Sequence, residues 1–461
     1  MNFNRFRFFL LALSISNACN ALCISNNLQA DGDLWESNGF TTIRIETKDH
    51  EEPTYERVDA PEGASGIGIK NATPVPGRMV VIEHGDTLYD SGDEGMSVRI
   101  RGNTSATLFK KKPYKIKLEK KADLLGGGKS KHYVLIRDEN LKSFIGFKTS
   151  ELLELEWVPK WKYVKVVMNG IYRGVYLMCE QVKAEKNKVK VNEDGFFFEL
   201  DAYWWNEPQY ITSAYYKLNY TFKYPEILSE SDSSYIAGLL GDMEKSLMGD
   251  YTSDYIDKES FARWCLAQDI MGNEDWQGAN IFFKIESREK PIITMPVLWD
   301  FNQIMQVNDN YSKIHNQCVF YHLFKDEDFN NIYKKLWNQY GGYIFDELSN
   351  LLDEFAKSEI KDAFDELVAI DNTLYEKSYL DVDTYVNQYK ELLSDKKKFL
   401  TNTLGVPIIP TYVGEISENN KINIKDSSIY NLNGEKVDAS VVRTRPGIYI
   451  KDGKKFISDG Q

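Results

Sequence analysis

One stretch constrains this chain more than any other. Between residues 273 and 302 an Asp and an Asn are spaced Asp275-x4-Asn280 at the end of a helical pattern. Two strand-like runs follow, Ile281-Phe282-Phe283-Lys284 and Ile292–Leu298, and then Trp299-Asp300-Phe301. The helix is announced by Asp257, a side chain suited to accept from the first free amides, ahead of Phe261, Trp264 and Leu266. Any fold carrying this segment has to bring a helix end, a loop and a hairpin together.

Side chains of this kind suit phosphoryl transfer. One carboxylate must orient the attacking hydroxyl, while an amide oxygen and a second carboxylate hold a divalent metal against the phosphates. Protein kinases order these groups as Asp-x4-Asn, a short hairpin and Asp-Phe. A structural reading competes, in which Asp275 caps a turn and Asp300 ends a strand, and spacing alone leaves both open. The chemistry also needs a cation on the phosphates. Lys111, Lys112, Lys115 and Lys117 surround one strand, and Lys111 and Lys115 share a side if that strand begins early. Glu151 and Glu154, on a helix expected over residues 140–155, are candidate partners.

The rest of the chain divides by pattern. Thr41–Glu46, Met79–Ile82, Ser97–Arg101 and Pro113–Leu118 read as strands, with Tyr114, Ile116 and Leu118 on one face and Lys115 and Lys117 on the other. Val164–Met168 and Val175–Met178 flank Asn169-Gly170, a tight-turn pair, and so predict a hairpin. Phe196–Leu200 is a further strand. From about 327 to 404 the pattern is helical, closing at Gly405. A β-rich first half joined to a helix-rich second half predicts an α+β, two-lobed domain.

The net charge of -13 excludes a global basic field for nucleic acid. Arg5 and Arg7, then Phe8–Leu13, then small residues through Ala18 have the layout of an export signal. That run is too short for a dependable transmembrane span. Cleavage after Ala18 would leave Cys19 first, open to lipid anchoring. The five cysteines show no paired C-x-x-C spacing, which argues against zinc, and Cys179 and Cys265 sit in apolar stretches suited to a core.

Three blocks in order resemble the CotH (spore-coat protein H) kinase family: Arg101–Ser105 with Lys111–Leu118, then Asn169–Leu177 with Glu180, then Asn273–Asn280 with Trp299-Asp300-Phe301. The resemblance implies an atypical protein-kinase-like fold that binds ATP with Mg²⁺ or Mn²⁺ and phosphorylates Ser or Thr of protein substrates. It makes Asp275 the catalytic acid, Asn280 and Asp300 the metal ligands, and one of Lys111, Lys112 and Lys115 the phosphate ligand. It also makes Arg101 a supporting group and puts Glu180 at the strand leading to the nucleotide base. Asn302 departs from the family, which usually has Asp there, and this weakens the expected hold on a second metal.

The implied organisation is an export signal over 1–23, a β-rich extension over 24–95, the kinase-like domain over 96–405 and a β tail over 406–461 like those of exported Bacteroidetes proteins. The alternative function is a non-catalytic surface module. In that reading Tyr203, Trp204, Trp205, Tyr210, Tyr215, Tyr216 and Tyr220 would stack on cell-surface glycans.

Overall fold

The computed structural model describes residues 40–249, 254–275 and 280–407, with parts of 429–458. The expected export signal and Cys19 lie outside the described residues.

Alternating strands build the first half. They are β1 (Thr42–Thr47), β2 (Glu56–Asp59), β3 (Ile67–Lys70), β4 (Val75–Glu83), β5 (Asp86–Asp90) and β6 (Met96–Ile100). After the short helix α1 (Thr104–Leu108) come β7 (Tyr114–Ala122) and β8 (Ser130–Ile136). Helix α2 (Lys142–Leu152) then leads into β9 (Trp161–Met168) and β10 (Ile171–Glu180), which turn at Asn169-Gly170 as that pair predicts. In β7, Tyr114, Ile116 and Leu118 are buried while Lys117 is exposed and Lys115 lies half-buried on the other face.

Eight of these strands form one sheet in the order β1-β9-β10-β8-β7-β6-β4-β5. β1 also pairs antiparallel with β4, from Thr42 opposite Ile82 to Thr47 opposite Gly77, so the sheet closes into a barrel. Closure pairs seven of the strands on both sides and leaves β5 outside the ring, paired to β4 alone. Ile43, Met79, Val98, Ile116, Val166 and Met178 are among the side chains that fill its interior. The expected break between residues 95 and 96 falls inside this barrel. β1 and β4 precede it and β6 to β10 follow, so residues 40–95 are not a separate extension. Alternation says which face of a strand is buried, not which strand lies beside it.

The second half adds β11 (Phe196–Leu200), β12 (Tyr210–Thr212), β13 (Asn219–Tyr224) and the helices α3 (Glu230–Gly249) and α4 (Lys258–Met271). β14 (Ile281–Ile285) and β15 (Ile293–Thr294) complete a sheet ordered β12-β13-β11-β14-β15. Then come α5 (Cys318–Leu323), α6 (Glu327–Tyr340), α7 (Ile344–Ala356), α8 (Lys361–Tyr375) and α9 (Val382–Leu404), which closes at Gly405. One apolar cluster runs from Val134, Leu177 and Cys179 on the barrel through Phe147 of α2 to Trp264, Trp337 and Leu393. The α+β class holds, but this packing draws no boundary between a β lobe and a helical lobe. Residues 429–458 contribute a small separate sheet of β16 (Ile429–Asn431), β17 (Lys436–Val437), β18 (Gly447–Lys451) and β19 (Lys454–Ser458). Cys179 and Cys265 are buried free thiols. No helix among the described residues is long and apolar enough to cross a membrane.

Candidate active site

The site begins at the end of α4. Asp257 caps that helix as its position predicts, accepting from Glu259 N (3.0 Å) and Ser260 N (3.1 Å). Beyond Gly272 the chain runs beside the segment that follows Asp300. Met305 N donates to Met271 O (2.7 Å), Gln306 N to Gly272 O (3.2 Å) and Glu274 N to Gln303 O (3.0 Å). This pairing carries Asp275 alongside the Asp300 turn. The segment is also anchored from below. The carboxylate of Asp269, buried in α4, accepts from His315 Nε2 (2.8 Å), Tyr333 Oη (2.6 Å) and Ser312 N (2.7 Å). Ser312 Oγ in turn donates to Asn273 O (2.8 Å), and Asn273 Oδ1 accepts from Asp275 N (2.9 Å). Residues 276–279 lie outside the described residues.

Asn280 and Asp300 meet directly, with Asn280 Nδ2 3.3 Å from Asp300 Oδ2. Both adopt left-handed backbone, φ +61° and +62°, a conformation that disfavours side chains other than Gly and persists only where surroundings enforce it. Those surroundings are visible. Asp300 Oδ1 accepts from Asn302 N (3.3 Å) and Asn302 Nδ2 (2.5 Å). Asn280 N donates to Glu199 Oε1 (3.1 Å), and Glu199 pairs with Lys223 (2.9 Å). Phe301 is buried edge-on against Phe147 of α2, centroids 5.2 Å apart. Its ring occupies the space a side chain at Gly146 would need, since a Cβ there would fall 2.2 Å from the ring.

Cations gather on the barrel side of this turn. The Arg101 guanidinium lies over the Trp299 ring, 5.8 Å from its centroid. Burial pushes the Asp300 carboxyl up from its ordinary range, while the Asn302 amide, Arg101 and Arg137 pull it back. Arg99 stands opposite Lys115 in the β6–β7 register. Burial, with Arg99, Lys183 and Arg101 nearby, holds the Lys115 ammonium down at about 8.

Counting donors separates the three candidate lysines, because an ammonium has three N–H groups. Lys111 spends its donors on Glu139 (2.7 Å), Asp371 (2.5 Å) and Val175 O, and is 3% exposed. Lys112 spends its on Ala106 O (2.6 Å), Phe109 O (2.7 Å) and Tyr55 Oη (3.2 Å). This corrects the expectation that either is a phosphate ligand. The Lys115 ammonium is engaged in no hydrogen bond or ion pair among the described residues.

The CotH family profile, described as CotH kinase protein, matches residues 98–403, well over half of the chain. The chain belongs to the CotH kinase family. Among solved structures it is similar to the Helicobacter pylori proinflammatory kinase CtkA. The identity is 9% and the TM-score 0.26, covering 59% of this chain and 89% of that one. No curated protein matches it.

Several other expected residues lie elsewhere. Glu151 of α2 pairs with Lys148 (2.9 Å), and Glu154, two residues past the end of α2, accepts from Tyr340 Oη (3.2 Å), so neither is offered to Lys111 or Lys115 through these contacts. Glu180 ends β10 at 1% exposure, accepting from Lys160 N (3.0 Å) and packed beneath Gly127. With no open face, its carboxylate serves the fold, which corrects its assignment as a nucleotide contact. The aromatic residues between 203 and 220 do not form one platform. Tyr220 is core, Tyr216 bonds His322 Nδ1 (2.8 Å), and Trp205 packs over Gly68.

Pattern reading missed Arg99, Arg137, Lys142 and Glu199. Arg99 shared the alternation that exposed Arg101, and Glu199 is a lone charge in an apolar strand; both signals were present. Arg137 and Lys142 reach the site only through tertiary packing, with Lys142 Nζ donating to Asn302 O (3.0 Å).

The donor set suits a hard divalent cation that arrives with a nucleotide. One carboxylate and neighbouring amides form too small a cage alone, and Mg²⁺ commonly completes its shell with substrate phosphates and water. Among the described residues no group of three or more acidic, His or Cys side chains could hold a metal. The Asn280 amide, turned about its end, would present oxygen instead of nitrogen.

Proposed function

We propose that this chain is an ATP- and divalent-metal-dependent protein kinase that transfers the γ-phosphoryl group to Ser or Thr hydroxyls of exported or surface proteins. The observation that carries the reading is the contact of Asn280 with Asp300 beneath Arg101, with Lys115 left uncommitted in a cluster of cations. Asp300 and Asn280 would hold Mg²⁺ or Mn²⁺, which when bound draws charge from the phosphate oxygens. Lys115 and Arg101 bind the phosphates and neutralise charge that spreads outward in the transition state. Asp275 orients the substrate hydroxyl and accepts its proton. The hydroxyl oxygen bonds to the γ-phosphorus as the bond to the bridging oxygen breaks, releasing ADP. The export-type pattern at the N-terminus motivates the choice of substrate class.

Transfer of label from γ-labelled ATP to a Ser/Thr-containing acceptor tests this. Metal-dependent labelling is expected from the wild type, falling at least about a hundredfold in Asp275→Ala, the scale of removing a positioned base. Equal labelling by Asp275→Ala would overturn the role given to that residue.

A further inference from the structure

The turn Asp300-Phe301-Asn302 is short of negative charge. The Asn302 side chain brings no charge: its Nδ2 donates to Asp300 Oδ1 at 2.5 Å, while its main-chain carbonyl accepts from Lys142 Nζ at 3.0 Å. Asp300 thus stands as the one carboxylate of the turn, with Arg101 and Arg137 acting on it from the barrel side. Lys142, the first residue of α2, reaches the same turn from the helix; burial lowers its ammonium from the ordinary value and Asp138 offsets part of that. Two dications a few ångströms apart repel strongly unless acidic ligands lie between and around them. Here three cationic side chains occupy that neighbourhood, and among the described residues no group of three metal-ligating side chains gathers.

We propose that the site takes one divalent ion with its nucleotide, and that the Lys142 ammonium supplies the positive charge a second ion would otherwise bring. This rests on the phosphoryl-transfer reading above and deepens it. Lys142 is held at the turn by the Asn302 carbonyl, and its remaining donors are free to face phosphate oxygens. A lysine fixed on a helix end brings a compact point charge whatever the metal concentration. The uncharged Asn302 and the Lys142 ammonium held beside it are then two sides of one arrangement.

Equilibrium dialysis of the full chain against Mn²⁺ and a non-hydrolysable ATP analogue, counting both per chain, tests this without activity as the readout. The expected result is one nucleotide and one Mn²⁺. In Lys142→Met the ion count stays at one while nucleotide affinity falls about tenfold, the scale of one charge-assisted bond; Lys142→Arg recovers it. The double variant Lys142→Met/Asn302→Asp is expected to bind two ions. Two ions per nucleotide in the wild type would overturn the inference and leave the kinase reading standing. A double variant that binds nucleotide with one ion would equally overturn the role of Lys142. No bound nucleotide in the wild type would remove the kinase reading itself, and the inference with it.

Discussion

Asp300 and Asn280 are close because the order of the chain makes them so. A helix end, a loop and a hairpin return the backbone to its starting level, and that much was readable as spacing. The choice among lysines was not, because donor saturation belongs to the folded structure. Lys111 sits between two carboxylates that are 3% and 1% exposed. Lys111→Met leaves both buried without their cation and should cost about 3–5 kcal/mol of stability, read by chemical denaturation. Lys115→Met should leave stability nearly unchanged and abolish most nucleotide affinity. Lys115 also sets a pH signature. Its ammonium, held down at about 8, is half neutral there in the free protein, and a bound triphosphate favours the charged form. Affinity should therefore fall as pH rises through about 8, with proton uptake on binding near that pH. Calorimetry in buffers of different ionisation enthalpy measures the uptake; its persistence in Lys115→Met would assign it elsewhere.

At the scale of elements, local pattern served well where one segment contains its own reasons. The alternation of β7, the Asn169-Gly170 turn and the Asp257 cap all stand as read. The run Ile292–Leu298 did not become one strand: only Ile293–Thr294 pairs, while Met295, Val297 and Leu298 are buried as core. A short apolar run does not say which kind of burial it will find. The contact between α2 and the Asp300 turn was equally hidden. Gly146 offers no pattern until Phe301 is seen lying against it, yet it ties the pose of Asp300 to the helix. Gly146→Ala should displace the ring, destabilise the fold by about 1–3 kcal/mol and weaken metal–nucleotide binding together. Lost stability with binding intact would show that Phe301 does not set the pose of Asp300.

For the whole molecule, closure of the barrel was the least legible feature. β1 and β4 find each other across the chain, and a matched family span beginning at 98 leaves both outside it. A chain begun at residue 98 would lose β1, β4 and β5 and open an interior lined by Ile116, Val166 and Met178. It should not fold cooperatively, as circular dichroism and thermal melting would show; a sharp transition would mean the remaining strands close by themselves. Asp300 is the anchor of the proposed metal–nucleotide site. Calorimetric titration of the full chain with ATP in Mg²⁺, wild type against Asp300→Ala, tests it most directly. The expected result is saturable, metal-dependent binding in the wild type, lost in the variant while its melting temperature holds. Binding of equal strength in both proteins would contradict it.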